Sequence, residues 1–250
     1  MEVVYEDNHI IIVNKKSGEI VQGDKTGDRP LSDIVKDYIK VKYQKPGEVF
    51  LGVVHRLDRP VSGLVVFART SKALTRLNKM FAEGEVHKTY WAIVRSEKLR
   101  VRSEELRVKS EELRVKSEEF AAAIQGWQTL THWLVRNEKQ NKSYAYDHEK
   151  PNAKKAILKY RTIAHSDNYT LLEVNLMTGR HHQIRCQLAA MGYPIKGDLK
   201  YGAPRSNPDG SISLMSRRVD FIHPVSKERI TVEAPLPDDP LWQALGRSAK

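Results

Sequence analysis

Short apolar runs alternate along the chain with polar turns and with segments of helical spacing. The stretch VVYEDNHIIIVNKKSG predicts two strands, at Val3–Tyr5 and Ile10–Val13, joined by a turn that contains Asp7 and Asn8. Apolar residues at helical spacing follow in LSDIVKDYIKVKYQKPG, for which Ser32 is the expected N-cap residue. The chain therefore opens with a hairpin followed by an amphipathic helix.

The later segments continue this mixture of strands and helices. LVVFA and KTYWAIV predict strands, and KKAILKYRTIAHSDNYTLLEVNLMTG alternates around a turn at Ser166, which predicts a second hairpin. RHHQIRCQLAAMG places His181, Ile184 and Leu188 on one helical face, with a stop at Gly192. Because the order lacks a strict βαβ rhythm, we expect an α+β fold with a mixed, largely antiparallel sheet flanked by helices.

Two segments depart from this pattern. The stretch NEKQNKSYAYDHEKPN is predicted to be a polar loop. The heptad repeat SEELRVKSEELRVKSEE has its apolar residues at spacings that give no coiled-coil seam, whereas Glu105–Lys109 and Glu112–Lys116 are well-oriented helical ion pairs. We interpret the repeat, at about residues 95–119, as a charged insertion within a single domain that spans residues 1–250.

The charge balance favours a polyanionic partner. Lys and Arg number 42 against 31 Asp and Glu, so the net charge is +11. Nucleic acid is the leading partner, and an anionic membrane is the rival. No apolar run is long enough to span a bilayer and the first residues do not resemble an export signal, so we expect a cytoplasmic protein. Cys186 is the only cysteine, and no Cys/His spacing indicates a metal site.

One carboxylate stands in an otherwise apolar and basic run, VVHRLDRPVSGLVVFART. Asp58 lies between Arg56 and Arg59, and Gly63 permits a tight turn before the next strand. An acid beside arginines is often no more than a surface ion pair. Between two strands and among cations that keep it ionised, it is also suited to act as a nucleophile that forms a covalent intermediate.

Four motifs resemble those of the RluA-type pseudouridine synthases. HRLDRPVSGL is similar to the family signature His-Arg-Leu-Asp-Arg-x-Thr-Ser-Gly-Leu and departs from it at Val61. VYEDNHIIIVNKKSG resembles the opening hairpin, with Lys16 at a usual proline, and KTYWAIV resembles the Lys-x-Tyr strand. TGRHHQIRCQLAAMGYPIKGDLKYG resembles the late motif. The closing segment SLMSRRVDFIHPVSKERITVEAPLP is also similar, although Met215 and Ser216 replace a usual His-Ala.

This resemblance implies a fold built around a central active-site cleft and an isomerisation of uridine to pseudouridine in RNA, without metal or organic cofactor. Asp58 matches the catalytic aspartate, and its attack on the sugar or on the base is left open. Tyr90 matches the active-site tyrosine, and Arg185 matches the arginine that pairs with the catalytic acid. Read without the family, Tyr90 would be an aromatic that fills a strand face and Arg185 a cation on a helix surface.

The resemblance also implies residues that contact RNA. Arg56 matches the residue that occupies the space left by the flipped nucleotide. We assign binding of RNA, or support of the residues that bind it, to His55, Arg59, Arg180, His181 and Gln183. Asp198 is interpreted as a residue that fixes its loop rather than as a second catalytic acid.

The expected partner is ribosomal or transfer RNA. The chain is expected to lack the S4-type RNA-binding domain of some members, to act as a monomer and to need no obligate protein partner. The alternative is a non-catalytic RNA-binding or ribosome-assembly factor on the same fold. The set of Asp58, Tyr90 and Arg185 favours the enzyme, because a pure binder has no need of a carboxylate that faces a polyanion. The membrane alternative lacks a basic amphipathic helix with bulky apolar anchors.

Overall fold

In the computed structural model of this chain, residues 1–95 and 126–249 are described. The chain forms two compact units. The first unit comprises Met1–Thr89 and Met215–Pro235, and the second comprises Tyr90–Leu214 and Leu236–Lys250. The insertion predicted at about residues 95–119 lies outside the described residues, except for Arg95 at the end of a strand.

The described residues form strands and helices in mixed order. The strands are β1 (Glu2–Glu6), β2 (Ile10–Lys15), β3 (Gly52–Val53), β4 (Ser62–Ala68), β5 (His87–Arg95), β6 (Gln128–Asn137), β7 (Lys142–Tyr146), β8 (Lys154–His165), β9 (Tyr169–Leu176), β10 (Leu214–Ile222) and β11 (Arg229–Glu233). The helices are α1 (Leu31–Lys42), α2 (Ser71–Glu83), α3 (Gln183–Ala190) and α4 (Pro240–Ser248).

The first unit is organised around β2 and β4. Its strands lie in the order β1-β2-β4-β10, with β3 paired to β4 and β11 paired to β10. All these pairs are antiparallel except β4 with β10, which run parallel. The predicted opening hairpin is confirmed, and the Asp7 carboxylate accepts hydrogen bonds from the backbone N–H groups of His9 and Ile10 at 2.7 and 2.9 Å.

The core of the first unit explains why its two central strands are apolar without alternation. Ile10–Val13 of β2 and Leu64–Ala68 of β4 are fully buried, so both faces of each strand are covered. Complete burial of side chains of this size contributes about 1.5–3 kcal/mol each to the free energy of folding. These two strands therefore give the loops at their ends a rigid base.

Local signals set the helix ends of the first unit, with one correction. The Thr70 hydroxyl accepts from the Ala73 N–H at 3.2 Å and caps α2, which ends at Gly84 with φ of 76°. The prediction that Ser32 caps α1 is wrong, because α1 begins one residue earlier, after Pro30. The fixed φ of proline suits the residue that precedes the first helical turn.

The second unit contains a sheet in the order β5-β9-β8-β6-β7. β6 pairs with β7 and with β8, and β8 pairs with β9, in each case antiparallel. Helix α3 packs on β6 and β7, where Leu134, Ala156, Cys186 and Tyr201 form a buried cluster. The predicted polar loop is corrected here, because its central residues form β7 and pair with β6.

The architecture confirms the predicted α+β class with a mixed, mostly antiparallel arrangement of strands. Helices precede or follow strands without a repeating βαβ unit. None of the helices in the described residues combines the length and the apolar character needed to cross a bilayer.

Candidate active site

The loop that carries Asp58 lies between two paired strands of the first unit. β3 pairs with Phe67 and Ala68 at one end of β4, and the chain then returns through residues 54–61 to begin β4 at Ser62. The Val61 N–H donates to the Asp58 carbonyl at 3.0 Å, which closes a turn over Asp58–Val61. The half-buried Asp58 therefore lies in a loop whose two ends are fixed by the sheet.

A buried lysine holds this loop by its backbone. Lys15, the last residue of β2, is fully buried. Its ammonium group donates to the carbonyls of Asp58, Arg59 and Val61 at 3.3, 3.1 and 2.6 Å, and to the carbonyl of Lys16 at 3.0 Å. We call this arrangement the lysine seat. Because an unsatisfied buried charge would be very costly, these contacts fix the loop conformation.

The segment after Lys15 adds two further contacts to the same loop. The Gly18 N–H donates to the Arg59 carbonyl at 2.9 Å, and the Ser17 hydroxyl donates to the Pro60 carbonyl at 3.2 Å. Burial lowers the pKa of Lys15 to about 8, while the charges of Glu19 and Asp58 act in the opposite direction. The lysine seat thus places a positive charge close enough to Asp58 for the two charges to interact.

The two arginines beside Asp58 differ in their surroundings. Arg59 forms ion pairs with Asp28 at 2.6 Å and Asp24 at 3.6 Å, and these contacts tie it to the preceding surface loop. Arg56 is exposed. Arg59 is therefore anchored on the first unit, whereas Arg56 extends into solvent.

His55 lies at the base of the loop. Its Nε2 accepts from the Val66 N–H at 3.0 Å, and its ring stacks on Phe81 with centroids 4.8 Å apart. Burial, followed by the charge of Lys88, lowers the pKa of His55 to about 3. The neutral His55 ring accepts from the backbone of β4 and so joins the loop to that strand. This contact supports the loop conformation.

Gly63 is required by the close approach of two parallel strands. Its φ is 107°, and a Cβ atom there would lie 2.3 Å from the carbonyl oxygen of Ser216. Met215 and Ser216, at the positions of the usual His-Ala, are both buried. The departure from the family pattern therefore affects packing beneath the loop.

Tyr90 belongs to the second unit, on β5. Only 6% of its surface is exposed, and Ala92 and Val94 on the same strand are also buried. Alternation along the strand places these three residues on one face. Tyr90 is thus buried on β5.

Arg185 lies in α3 of the second unit and is buried. Its Nε and Nη2 donate to the two carboxylate oxygens of Asp198 at 2.7 and 2.9 Å, and its guanidinium lies 5.1 Å from the centre of the Tyr201 ring. Such a bidentate pair fixes the plane of the guanidinium. The interpretation of Arg185 as a surface cation is therefore wrong, and Asp198 orders the loop that follows α3.

A hydrogen-bonded cluster surrounds the start of α3. The Tyr201 hydroxyl accepts from the Ser143 N–H at 2.8 Å and lies 3.0 Å from Nδ1 of His182. The Ser143 hydroxyl donates to the His181 carbonyl at 2.8 Å, and the His181 and His182 rings stack at 3.8 Å. Burial raises the pKa of Tyr201 to about 12, so the phenol keeps its proton.

Gln183 and Arg180 fix the backbone before α3. The Gln183 Oε1 accepts from the Thr178 hydroxyl and the Arg180 N–H at 2.8 and 2.9 Å, and its Nε2 donates to the Ile157 carbonyl at 3.1 Å. The exposed Arg180 donates from Nε to the Lys155 carbonyl at 3.1 Å. The buried Gln183 side chain thus links the segment before α3 to β8, whereas the rest of the Arg180 guanidinium faces solvent.

The structure groups the residues singled out in the sequence into two sets. His55, Arg56, Asp58 and Arg59 share one loop of the first unit. The second unit holds Tyr90 on β5, and Arg180, His181, Gln183 and Arg185 at or beside the start of α3.

Sequence reasoning missed Lys15 and Tyr201. The available signal for the lysine seat is a lysine two positions after the apolar run Ile10–Val13, at the end of the same strand. Within the described residues, no group of three or more His, Cys, Asp or Glu side chains is placed to hold a metal ion.

Comparison with known proteins gives the same family for most of the chain. Residues 9–190 match the family described as RNA pseudouridylate synthase. An uncharacterized RNA pseudouridine synthase of Bacillus subtilis is 30% identical over 96% of this chain and 70% of its own length. The tRNA pseudouridine synthase C of Vibrio parahaemolyticus is 30% identical over 98% of this chain and 93% of its own length.

Solved structures agree on the fold. Human RNA pseudouridylate synthase domain containing 4 has a TM-score of 0.69 at 20% identity, and the match covers 95% of this chain and 89% of that one. The chain belongs to the RNA pseudouridylate synthase family, and it is an enzyme that converts uridine to pseudouridine in RNA.

Proposed function

We propose that Asp58 is the nucleophile of this isomerisation and that Tyr90 and Arg185 assist it. The observation that carries the assignment is the lysine seat, which holds the backbone of the Asp58 loop through three carbonyl contacts. A nucleophile gains most from a fixed position, because correct orientation removes much of the entropic barrier. The match of HRLDRPVSGL to the family signature supports the same residue.

The reaction that Asp58 initiates conserves every atom of the nucleotide. The bond between N1 of uracil and C1′ of ribose breaks, the base rotates, and a bond forms between C5 and C1′. The hydrogen on C5 leaves as a proton, and N1 gains one. An ionised carboxylate can begin this sequence in two ways. Attack on the sugar at C1′ bonds Asp58 to the ribose and releases the uracil as an anion, which turns in the site before its C5 displaces the carboxylate. Attack on the base bonds Asp58 to the uracil, and this adduct holds the base while it turns.

Arg185 is proposed to position the Asp58 carboxylate and to stabilise its negative charge. A guanidinium has five N–H donors, of which Asp198 takes one on Nε and one on Nη2. This bidentate pair fixes the plane of the guanidinium, and a guanidinium held in a fixed plane suits the recognition of a carboxylate. Asp198 and the Tyr201 ring are then the supports that orient Arg185.

Tyr90 is proposed to contact the reacting uracil. A tyrosine ring supplies a flat apolar face on which the base can stack, and its hydroxyl can accept or return the proton that leaves C5. Burial of Tyr90 on β5 restricts the orientations that its side chain can take.

The substrate is proposed to be ribosomal or transfer RNA in a loop or another unstacked element. Relatives named for each class support both: the Vibrio parahaemolyticus enzyme is named for tRNA, and a Xanthomonas campestris relative, 28% identical, is named for the ribosomal large subunit. Flipping a uridine out costs least in such an unstacked element. The exposed Arg56 is proposed to fill the space in the base stack that the flipped uridine leaves. We place the enzyme in the cytoplasm as a monomer.

Incubation with unmodified transcripts tests this assignment. The purified chain should convert one or a few loop uridines of a large-subunit ribosomal RNA or tRNA transcript, as mapped by mass spectrometry of nuclease fragments. Arg185→Ala should lower kcat with little change in KM, because Arg185 acts on the nucleophile rather than on RNA. RNA binding without any pseudouridine would instead support a non-catalytic RNA-binding or ribosome-assembly factor.

A further inference from the structure

The second unit contains a pocket to which the reaction assigns no role. Its cavity is about 420 Å³, within the range of about 300–1,000 Å³ typical of small-ligand sites. The cavity is lined by Arg95, Tyr169, Lys196 and Arg205, together with Pro194 and Pro204. We call this feature the distal basic pocket.

The lining of the pocket carries one sign of charge. Arg95, Lys196 and Arg205 are cationic, and the described residues that line the cavity include no Asp or Glu. Asp209 interacts with Lys196 from outside the lining, but its carboxylate accepts from the Ser211 N–H and hydroxyl at 3.0 and 2.6 Å. Three cations around a concave surface select an anionic ligand.

The wall of the pocket is fixed rather than flexible. The Lys196 backbone pairs with Ile93 on one side and Ser213 on the other, at 2.9 and 2.8 Å. Its ammonium group donates to Asn207 Oδ1 at 2.6 Å, and the Asn207 amide donates to the Ser213 hydroxyl at 3.3 Å. Gly197, with φ of 89°, allows this wall to close, because a Cβ there would lie 2.7 Å from the Ser211 carbonyl oxygen.

The pocket combines these cations with an aromatic ring. Tyr169, the first residue of β9, is half-buried and lines the cavity. An aromatic face beside cations is the combination that binds a nucleotide, because the ring stacks on the base and the cations pair with phosphate. The exposed Arg205 forms no ion pair among the described residues, so its guanidinium remains for a ligand.

We propose that the distal basic pocket binds a phosphorylated nucleotide of the RNA substrate at a distance from the reacting uridine. Arg95 lies five residues along β5 from Tyr90, which corresponds to about 16 Å of strand. The pocket is therefore separate from Tyr90 and holds another part of the RNA. The inference rests on the proposed function for the identity of the polyanion.

Fluorescence anisotropy of a labelled single-stranded oligouridylate, measured over a salt series with the full chain, tests this proposal. Arg205→Ala should weaken binding about fivefold and reduce the slope of log K against log salt by about one, as expected for one lost phosphate contact. Arg247→Ala is the matched control, because Arg247 is also an exposed arginine of the second unit but lies outside the pocket. This control should remain within twofold of wild type.

Equal effects of Arg205→Ala and Arg247→Ala would overturn the pocket assignment. A second arm uses uridine 5′-monophosphate alone. If Arg205→Ala weakens binding of the mononucleotide and leaves the oligouridylate unaffected, the ligand is a free nucleotide and the assignment to RNA is wrong. Pseudouridine formation by the wild-type chain on transcripts is scored independently, so failure of the proposed function and failure of the pocket give different results.

Discussion

At the scale of single residues, the loop of Asp58 depends on the packing and backbone contacts of two positions. Gly63 allows β4 to run against Ser216 of the parallel strand β10. His55 accepts a hydrogen bond from the backbone of Val66 and packs on Phe81. Both residues belong to the family signature, and in the structure each of them helps to fix the conformation of the loop.

Gly63→Ala is expected to destabilise the protein by about 3–5 kcal/mol, because left-handed backbone strain adds to a steric clash with a carbonyl oxygen. Gly84→Ala is the control: Gly84 also has a positive φ of 76°, but a Cβ there meets nothing within 4 Å. Its cost should be about 1–2 kcal/mol. Urea unfolding measures both values, and equal losses would contradict the proposed clash.

His55→Gln is expected to remove part of the acid sensitivity of the fold. The folded-state pKa of His55, about 3, lies below its unfolded value of about 6.5, so the unfolded state binds more protons between these values. The stability contributed by neutral His55 is present above pH 6.5 and is lost as the pH falls toward 3.

Between pH 7 and pH 5, wild type should therefore lose about 1–2 kcal/mol more than the Gln variant, whose amide oxygen can still accept from the Val66 N–H. Denaturant unfolding at the two pH values checks this difference. Parallel losses in the two proteins would show that His55 is not held neutral.

The candidate site could be predicted at this scale only where the signal is local. The signature indicated Asp58 and its flanking arginines because their spacing lies within one loop. The lysine seat could not be predicted, because Lys15 and Val61 are separated by 46 residues and meet only after β2 and β4 pair. The buried state of Arg185 likewise depends on Asp198 in a later loop.

At the scale of elements, β2 and β4 hold the loop through the lysine seat. Lys15→Met keeps a long side chain but leaves the carbonyls of Asp58, Arg59 and Val61 without their cation. We expect kcat to fall by about 10- to 100-fold, because small displacements of a reacting group are costly. Lys16→Met is the control, since its neighbour Lys16 is exposed. Steady-state rates of pseudouridine formation distinguish the two, and equal rates would contradict the role of the seat.

The same seat predicts the alkaline limit of activity. Because burial lowers the pKa of Lys15 to about 8, its ammonium group loses its proton as the pH rises through that value. The neutral amine has one donor fewer and no charge, so it holds the loop less firmly. The rate of pseudouridine formation should decline above about pH 8. A rate that stays constant to pH 9.5 would show that the charge on Lys15 is not needed.

Prediction of strands and helices succeeded where the apolar periodicity is strong. It failed where a segment becomes a strand only because it pairs with a neighbouring strand. The opening hairpin and the end of α3 before Gly192 follow from turn and cap residues. In contrast, β7 lies in a polar stretch, and its strand form is set by pairing with β6 and by burial of Ser143 beneath α3. Such tertiary contacts override local composition.

At the scale of the whole molecule, the net charge of +11 predicts binding that depends strongly on salt. Each neutralised phosphate releases counterions, so the affinity for RNA should fall about tenfold or more between 50 and 200 mM salt. Filter binding of a tRNA transcript over this range measures the slope. A flat affinity would argue against recognition dominated by the phosphate backbone.

Asp58 carries the proposed chemistry, and the decisive measurement is turnover by Asp58→Asn. Isomerisation replaces the hydrogen on C5, so tritium release from RNA that carries 5-tritiated uridine reports the reaction. The variant should lose more than about a thousandfold in rate while its RNA affinity stays within a few-fold, because the carboxylate supplies chemistry rather than binding. The control Asp33→Asn, on the surface of α1, should match wild type. Turnover by Asp58→Asn near the wild-type rate would contradict the assignment.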